Sequence, residues 1–86
     1  MATIDQVEEA VMEYARETSY FVTPSAVDDP LHPKPTTLSD EQFADFYFDL
    51  LEKLSKHGVK VRLPLEAVKQ CRTWWNVCVL VNHSQV

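Results

Sequence analysis

Apolar residues recur every three or four positions near the start of the chain, which predicts an amphipathic helix over residues 4–20. This stripe consists of Ile4, Val7, Val11, Tyr14, Thr18 and Phe21. Thr3 and Gln6 have the spacing of a capping box, which would begin the helix. The stripe also fits a short heptad pattern. Packing within the chain is the favoured interpretation, and a coiled-coil homodimer is the alternative.

A second pattern predicts a helix over residues 40–57. Ser39 and Gln42 form another capping box, and Gly58, the only glycine of the chain, stands where a left-handed residue would close the helix. Its apolar face comprises Phe43, Phe46, Tyr47, Leu50, Leu51 and Leu54. Between the two helices, residues 22–38 contain Pro24, Pro30, Pro33 and Pro35. Proline fixes φ and removes a hydrogen-bond donor, so this stretch is predicted to be an irregular connection.

The last third of the chain is more ambiguous. Residues 59–63 alternate between apolar and polar and are predicted to be extended, and Pro64 suits the first position of a helix over 64–76. The apolar segment 77–81 either continues this helix or forms a strand that pairs with 59–63. Residues 82–86 are expected to be frayed. The predicted fold is therefore mainly α: one small three-helix domain with a Pro-rich connection and, as the open alternative, a minor two-stranded pairing near the C-terminus.

Composition supports a folded protein in a reducing compartment. The chain has 86 residues, of which 45% are hydrophobic, enough for one small core. Its apolar runs are too short to cross a bilayer, so no membrane association is expected. On a helix, Cys71 and Cys78 would lie about 10 Å apart, beyond the roughly 7 Å limit for a disulfide. A cytoplasmic location is the resulting prediction.

Side chains with catalytic or metal-binding chemistry are not arranged in any recognisable pattern. The single glycine leaves no phosphate-cradling loop, and His32, His57 and His83 are not spaced as metal ligands with the cysteines. The two cysteines are predicted to be small core residues. We therefore predict a protein that is not an enzyme, with no catalytic residues, no cofactor and no metal.

Charge is divided unevenly along the chain. Residues 1–53 hold twelve acidic and three basic residues, whereas residues 54–86 hold one acidic and five basic residues. Acidic residues repeat every four positions on both long helices, about 6 Å apart along the axis. These rows are the predicted partner-binding surface: Asp5, Glu9, Glu13, Glu17, Glu41, Asp45 and Asp49. The alternative surface is basic and comprises Lys60, Arg62, Lys69 and Arg72.

An acidic row without compensating cations can imitate a nucleic-acid backbone. The predicted function is therefore a non-catalytic protein–protein interaction module or inhibitor. Its more specific form is a nucleic-acid mimic that blocks a nucleic-acid-handling complex, similar to small viral counter-defence proteins. The alternative is a small nucleic-acid-binding or transcription-modulating protein with a helix-turn-helix-like C-terminal half. Direct nucleic-acid binding is less favoured because the remainder of the chain is acidic.

Overall fold

The described residues, 1–34 and 37–86, form four helices in this computed structural model, which confirms a mainly helical fold. The helices are α1 (Ile4–Glu17), α2 (Asp40–Lys56), α3 (Leu65–Lys69) and α4 (Trp74–His83). The sequence predicts three helices, and the additional one arises because the third predicted helix is interrupted.

Hydroxyl side chains begin three of these helices. The Thr3 and Ser39 hydroxyls accept hydrogen bonds from the backbone N–H groups of Gln6 and Gln42, and each glutamine side chain accepts one in return. Both capping boxes confirm the sequence prediction. Thr73 begins α4 in the same way, with the N–H of Asn76 as its donor. This third box is absent from the prediction.

The first helix ends at Glu17, three residues before the predicted end. Thr18 is extended, and the chain then pairs with the Pro-rich connection. The Val22 N–H donates to the carbonyl of His32 at 2.8 Å, and the Lys34 N–H donates to that of Tyr20 at 2.9 Å. These bonds place Phe21 in the core, so the last apolar position of the stripe is buried from an extended segment rather than from a helix.

The Pro-rich connection is held by hydrogen bonds along its described residues, while Pro35 and Thr36 lie outside them. The Leu31 N–H donates to the carbonyl of Arg72 at 2.9 Å, and the Trp74 N–H donates to that of Asp29 at 3.1 Å. The Asp29 carboxylate also accepts bonds from the Ser25 hydroxyl and backbone, which lower the pKa of this carboxyl. The connection is thereby fixed to the start of α4.

The second helix has nearly the predicted bounds, and its end has the predicted geometry. Gly58 has a φ of 75°, in the region that favours glycine. The Val59 N–H donates to the carbonyl of Leu54 at 2.9 Å, which closes the helix as a Schellman motif does. Val59 and Leu54 are both buried.

The predicted helix over 64–76 is wrong. The five-residue α3 ends at Lys69, and α4 begins only at Trp74, with Thr73 as its cap. The residues between the two helices are not helical. The interruption has a physical cause, because the backbone around residues 72–74 pairs with that around residues 29–31. It also explains the apolar positions 77–81. On one long helix Val77 and Val81 would fall on the polar side. The break changes the helical phase, and both residues are fully buried.

Of the two alternatives left open for residues 77–81, the structure has the helix, so the pairing of 59–63 with 77–81 is not formed. Residues 60–62 pair instead with the C-terminal tail. The Arg62 N–H donates to the carbonyl of Ser84 at 3.0 Å, and the Val86 N–H donates to that of Lys60 at 3.1 Å. The prediction that residues 82–86 are frayed is therefore wrong, because hydrogen bonds hold this tail.

The core is built around Trp74, the first residue of α4, which is fully buried. Its ring lies 5.6 Å from that of Phe21 and 6.4 Å from that of Phe46, both in edge-to-face orientations. Helix α1 packs on one side against α2 and on another against α4. The remaining buried hydrophobic residues are Val7, Ala10, Val11, Met12, Tyr14, Ala15, Leu50, Leu54, Val59, Leu63, Val68, Val77, Cys78 and Val81.

We expect Gln85→Ala to destabilise the fold, although Gln85 lies in the tail. Its side-chain oxygen accepts from the Ala2 N–H at 2.7 Å, and its amide donates to the Ala2 carbonyl at 2.9 Å. Loss of two partly buried hydrogen bonds should reduce the free energy of unfolding by about 1–2 kcal/mol. Urea denaturation measures this change. The control is Gln70→Ala, the same substitution at an exposed position; equal stability of the two variants would contradict the prediction.

Candidate functional site

The predicted acidic row on α1 is divided by the fold into two parts. Glu13 and Glu17 face α2, where the Lys53 ammonium lies 3.1 Å from Glu13 and 2.9 Å from Glu17. The second carboxylate oxygen of Glu13 lies 2.6 Å from Nε2 of His57, the residue that follows the last turn of α2. These four side chains form an ion cluster between the two helices. Glu13 and Glu17 therefore have a structural role that the sequence analysis did not assign.

The electrostatics of this ion cluster follow from its geometry. The hydrogen bond from the Lys53 ammonium, together with its charge and that of His57, lowers the pKa of the Glu13 carboxyl. Hydrogen bonds to Glu17 and Glu13 raise the pKa of Lys53 in turn. Lys53 reaches across to α1, and no ion pair joins it to Asp49 one turn earlier on α2.

The other half of the α1 row, Asp5 and Glu9, remains on the surface. Both side chains are exposed and line a shallow depression together with Met12 and Arg16. Within residues 1–34 and 37–86, neither carboxylate has a cationic group within 4 Å.

The α2 row keeps the solvent-facing position that the sequence predicts. Glu41, Asp45 and Asp49 are all exposed, and no basic side chain of the described chain lies within 4 Å of them. Asp45 accepts a long hydrogen bond of 3.5 Å from the Tyr20 hydroxyl. Partial desolvation and the charge of Asp45 raise the pKa of the Tyr20 phenol above its ordinary value.

Phe48 is the residue of this surface that sequence reasoning missed. It lies between Asp45 and Asp49 in sequence, and 64% of its surface is exposed. Its ring meets the side of Tyr47 at a centroid distance of 5.2 Å, without entering the core. A signal was present, because Phe48 is the one aromatic residue of α2 outside the predicted apolar face. An aromatic residue off the buried stripe is a signal of a contact surface.

A groove lies between the second half of α2 and the extended segment that follows it. Its volume is about 250 Å³. The residues that line it are Leu51, Ser55, Val59, Lys60, Val61 and Val86. Since Leu51 is three positions after Phe48 on the helix, the two side chains are surface neighbours. The outer face of α2 therefore carries carboxylates on one flank and an apolar groove on the other, with Phe48 between them.

Two residues of the alternative basic surface, Lys60 and Lys69, lie near different ends of α2. Lys69 lies 3.8 Å from both Asp40 and Glu66 and is 5.7 Å from the ring centroid of Phe43. Lys69 thus lies near Phe43, whereas Lys60 lines the groove together with Ser55. Phe43 and Ser55 are twelve residues apart on α2, which corresponds to about 18 Å along the helix. Arg62 and Arg72 are exposed. The helix-turn-helix comparison also needs a continuous helix over 64–76, and the chain is interrupted there.

The cysteines are placed as the sequence predicts, with Cys78 in the core and Cys71 half-buried, both as free thiols. Burial raises the pKa of Cys78 to about 12 and also raises the pKa of Cys71, so both thiols are held in the protonated form. In the part of the chain that the structure describes, no group of three His, Cys, Asp or Glu side chains is arranged to hold a metal ion. No helix within those residues has the length and apolarity to span a bilayer.

We expect Glu13→Gln to destabilise the protein at neutral pH but not in acid. Because the folded-state pKa of Glu13 lies below its ordinary value of 4.5, its contribution is fully present above that value. It is lost as the pH falls through the lowered folded-state pKa. Urea midpoints of the wild type and variant should therefore differ near pH 7 and converge as the pH falls through the lowered folded-state pKa of Glu13.

Glu9→Gln is the matched control, because it changes the same residue type on the same row without disturbing the ion cluster. Its midpoint should follow that of the wild type at neutral pH and in acid. A gap between Glu13→Gln and the wild type that persists in acid would show that the ion cluster is not the cause.

The chain was compared with known proteins at the level of family, sequence and structure. No protein-family model, curated protein or solved structure matches it.

Proposed function

We propose that the protein is a non-catalytic protein-binding module whose recognition surface is the outer face of α2. The observation that carries this proposal is Phe48, 64% exposed beside a row of carboxylates that have no cationic partner in the described chain. The surface comprises Glu41, Asp45, Phe48 and Asp49, and the groove lined by Leu51 and Ser55 adjoins it.

The aromatic residue supplies the energetic reason for binding. Burying a Phe side chain that was exposed to water contributes about 1.5–3 kcal/mol. Nothing in the core requires an aromatic residue here, since Phe21, Phe46 and Trp74 already form the aromatic centre. Aromatic residues surrounded by polar groups are typical of the energetically dominant positions of protein interfaces.

The carboxylates indicate the chemistry of the partner. Like charges one helical turn apart repel each other by a few tenths of a kcal/mol per pair. A basic surface would relieve this repulsion and would be attracted from a distance. The proposed partner is therefore a protein with a basic binding surface that contains an apolar contact for Phe48.

A nucleic-acid-handling complex is one such partner, because its binding groove is built to accept rows of negative charge. The proposed blocking surface is smaller than the sequence predicts, since Glu13 and Glu17 are occupied by Lys53 and His57. The alternative of direct nucleic-acid binding through Lys60, Arg62, Lys69 and Arg72 stays a prediction. The separation of Lys60 from Lys69 gives it less support.

We expect the combined variant Glu41→Gln, Asp45→Asn, Asp49→Asn to lose its partner. The tagged full chain would be used to capture proteins from a cell extract at low salt, and the affinity of each captured protein would then be measured by titration. Removal of three carboxylates should weaken binding at least about tenfold, or 1.4 kcal/mol, and reduce its salt dependence.

Phe48→Ser should weaken binding of the same partner by about 2 kcal/mol while leaving the fold intact.

The matched control is Asp5→Asn, Glu9→Gln, Asp28→Asn, which changes the same residue types and the same net charge at exposed positions away from α2. It should retain the partner. Unchanged capture by the α2 variants would refute the proposed surface. Loss of capture by the control variant alone would place the binding surface at Asp5, Glu9 and Asp28 instead. Salt-sensitive binding of the wild type to DNA would favour the nucleic-acid alternative.

A further inference from the structure

We infer that the partner inserts an arginine side chain into the cleft between the end of α1 and the second half of α2, where the guanidinium pairs with Asp49 against the ring of Tyr20. This inference rests on the proposed function and deepens it. The proposed function requires a basic protein surface. The inference names the residue type that this surface presents and the place on the chain that receives it.

The cleft has a volume of about 300 Å³. This volume is at the lower end of the range for sites that enclose a ligand, so the cleft suits one long side chain rather than a whole helix. Ser19, Asp49 and Lys56 are exposed, which lets a side chain enter from solvent. The residues that line the cleft are Tyr14, Glu17, Thr18, Ser19, Tyr20, Asp49, Glu52, Lys53 and Lys56.

Charges inside the cleft are balanced except for one carboxylate. The Lys53 ammonium lies 2.9 Å from Glu17, and the Lys56 ammonium lies 3.3 Å from Glu52. Asp49 is the remaining carboxylate of the lining, and no cationic group of the described chain lies within 4 Å of it. Ion pairs therefore account for both lysines and leave one negative charge, which a single guanidinium would neutralise.

Two tyrosines show that Asp49 acts on the interior of the cleft. Burial raises the pKa of Tyr14 to about 12, and the charge of Asp49 contributes to this rise. Partial desolvation and the charges of Asp45 and Asp49 raise the pKa of Tyr20. The Asp49 carboxylate thus shares the cleft with two aromatic rings, an environment that is less polar than open solvent.

Arginine fits this arrangement better than lysine does. A planar guanidinium donates two parallel hydrogen bonds to one carboxylate and can lie flat against an aromatic ring. It is also less strongly hydrated than an ammonium group, so it loses less free energy on entering a partly enclosed site. The ring of Tyr20 is kept beside the carboxylates by the 3.5 Å hydrogen bond from its hydroxyl to Asp45.

The test titrates the full chain with acetyl-arginine amide, a single arginine with both backbone ends blocked. NMR follows the backbone amide signals at low salt, and those of Ser19, Tyr20 and Asp49 should shift. Acetyl-lysine amide should bind about fivefold more weakly, which is the difference expected from one hydrogen bond. Equal binding of the two amides, or no shift of these signals with either amide, would overturn the inference.

Variants of the cleft separate the contribution of the carboxylate from that of the ring. Asp49→Asn should weaken binding of acetyl-arginine amide about tenfold, because a hydrogen-bonded charge is lost. Tyr20→Leu should weaken it about two- to fivefold, as expected for an exposed cation–π contact. Tyr20→Phe retains the ring and should bind as the wild type does.

The matched control is Asp5→Asn, the same substitution at an exposed position of α1 outside the cleft. It should leave the affinity unchanged. Equal weakening by Asp5→Asn and Asp49→Asn would show that the amide responds only to net charge, which also contradicts the inference. Circular dichroism verifies that each variant is folded.

Protein capture separates a failure of this inference from a failure of the proposed function. If acetyl-arginine amide fails these tests while the triple carboxylate variant of α2 and Phe48→Ser still lose the captured protein, the proposed surface stands and the arginine inference is wrong. If both variants capture that protein normally, the proposed function fails and the inference fails with it.

Discussion

The edge-to-face packing of Trp74 against Phe21 and Phe46 is the interaction on which the other elements depend. Each of the three rings comes from a different part of the chain: the start of α4, the segment after α1, and the middle of α2. Two contacts hold Trp74 in place: the Thr73 cap of its helix and the hydrogen bond from the Trp74 backbone N–H to the backbone carbonyl of Asp29. The break between α3 and α4 is required for this arrangement, since one continuous helix could not pair its backbone with the Pro-rich connection.

The long helices could be predicted because their signals are local. Capping boxes, apolar periodicity and the closing glycine act within one or two turns, and α2 is found within one residue of its predicted bounds. The break after Lys69 could not be found in the same way, because its cause lies about forty residues earlier in the chain, at Asp29 and Leu31. The ordered tail was missed for a similar reason: its partners are Lys60, Arg62 and Ala2.

The candidate site shows the same division between local and non-local information. Residue spacing identified both acidic rows, and exposure of the α2 row is a direct consequence of helical periodicity. Which part of the α1 row is exposed depends on how the helices pack, since the contact between α1 and α2 brings Glu13 and Glu17 to Lys53 and His57. Thus half of a pattern that looked functional stabilises the fold, while Phe48, which looked like an ordinary helix residue, remains exposed.

The hydrogen-bonded contact between Ala2 and Gln85 has a consequence for how the protein folds. These residues are 83 positions apart, nearly the full length of the chain. Contacts of such sequence separation form only after a large loss of chain entropy, so they are expected late in folding. The helices α1 and α2 carry their own start signals, whereas the docking of α4 and the closure of the tail depend on elements already in place. Although mostly helical, the protein should therefore fold more slowly than a helical bundle in which neighbouring helices pack in sequence order.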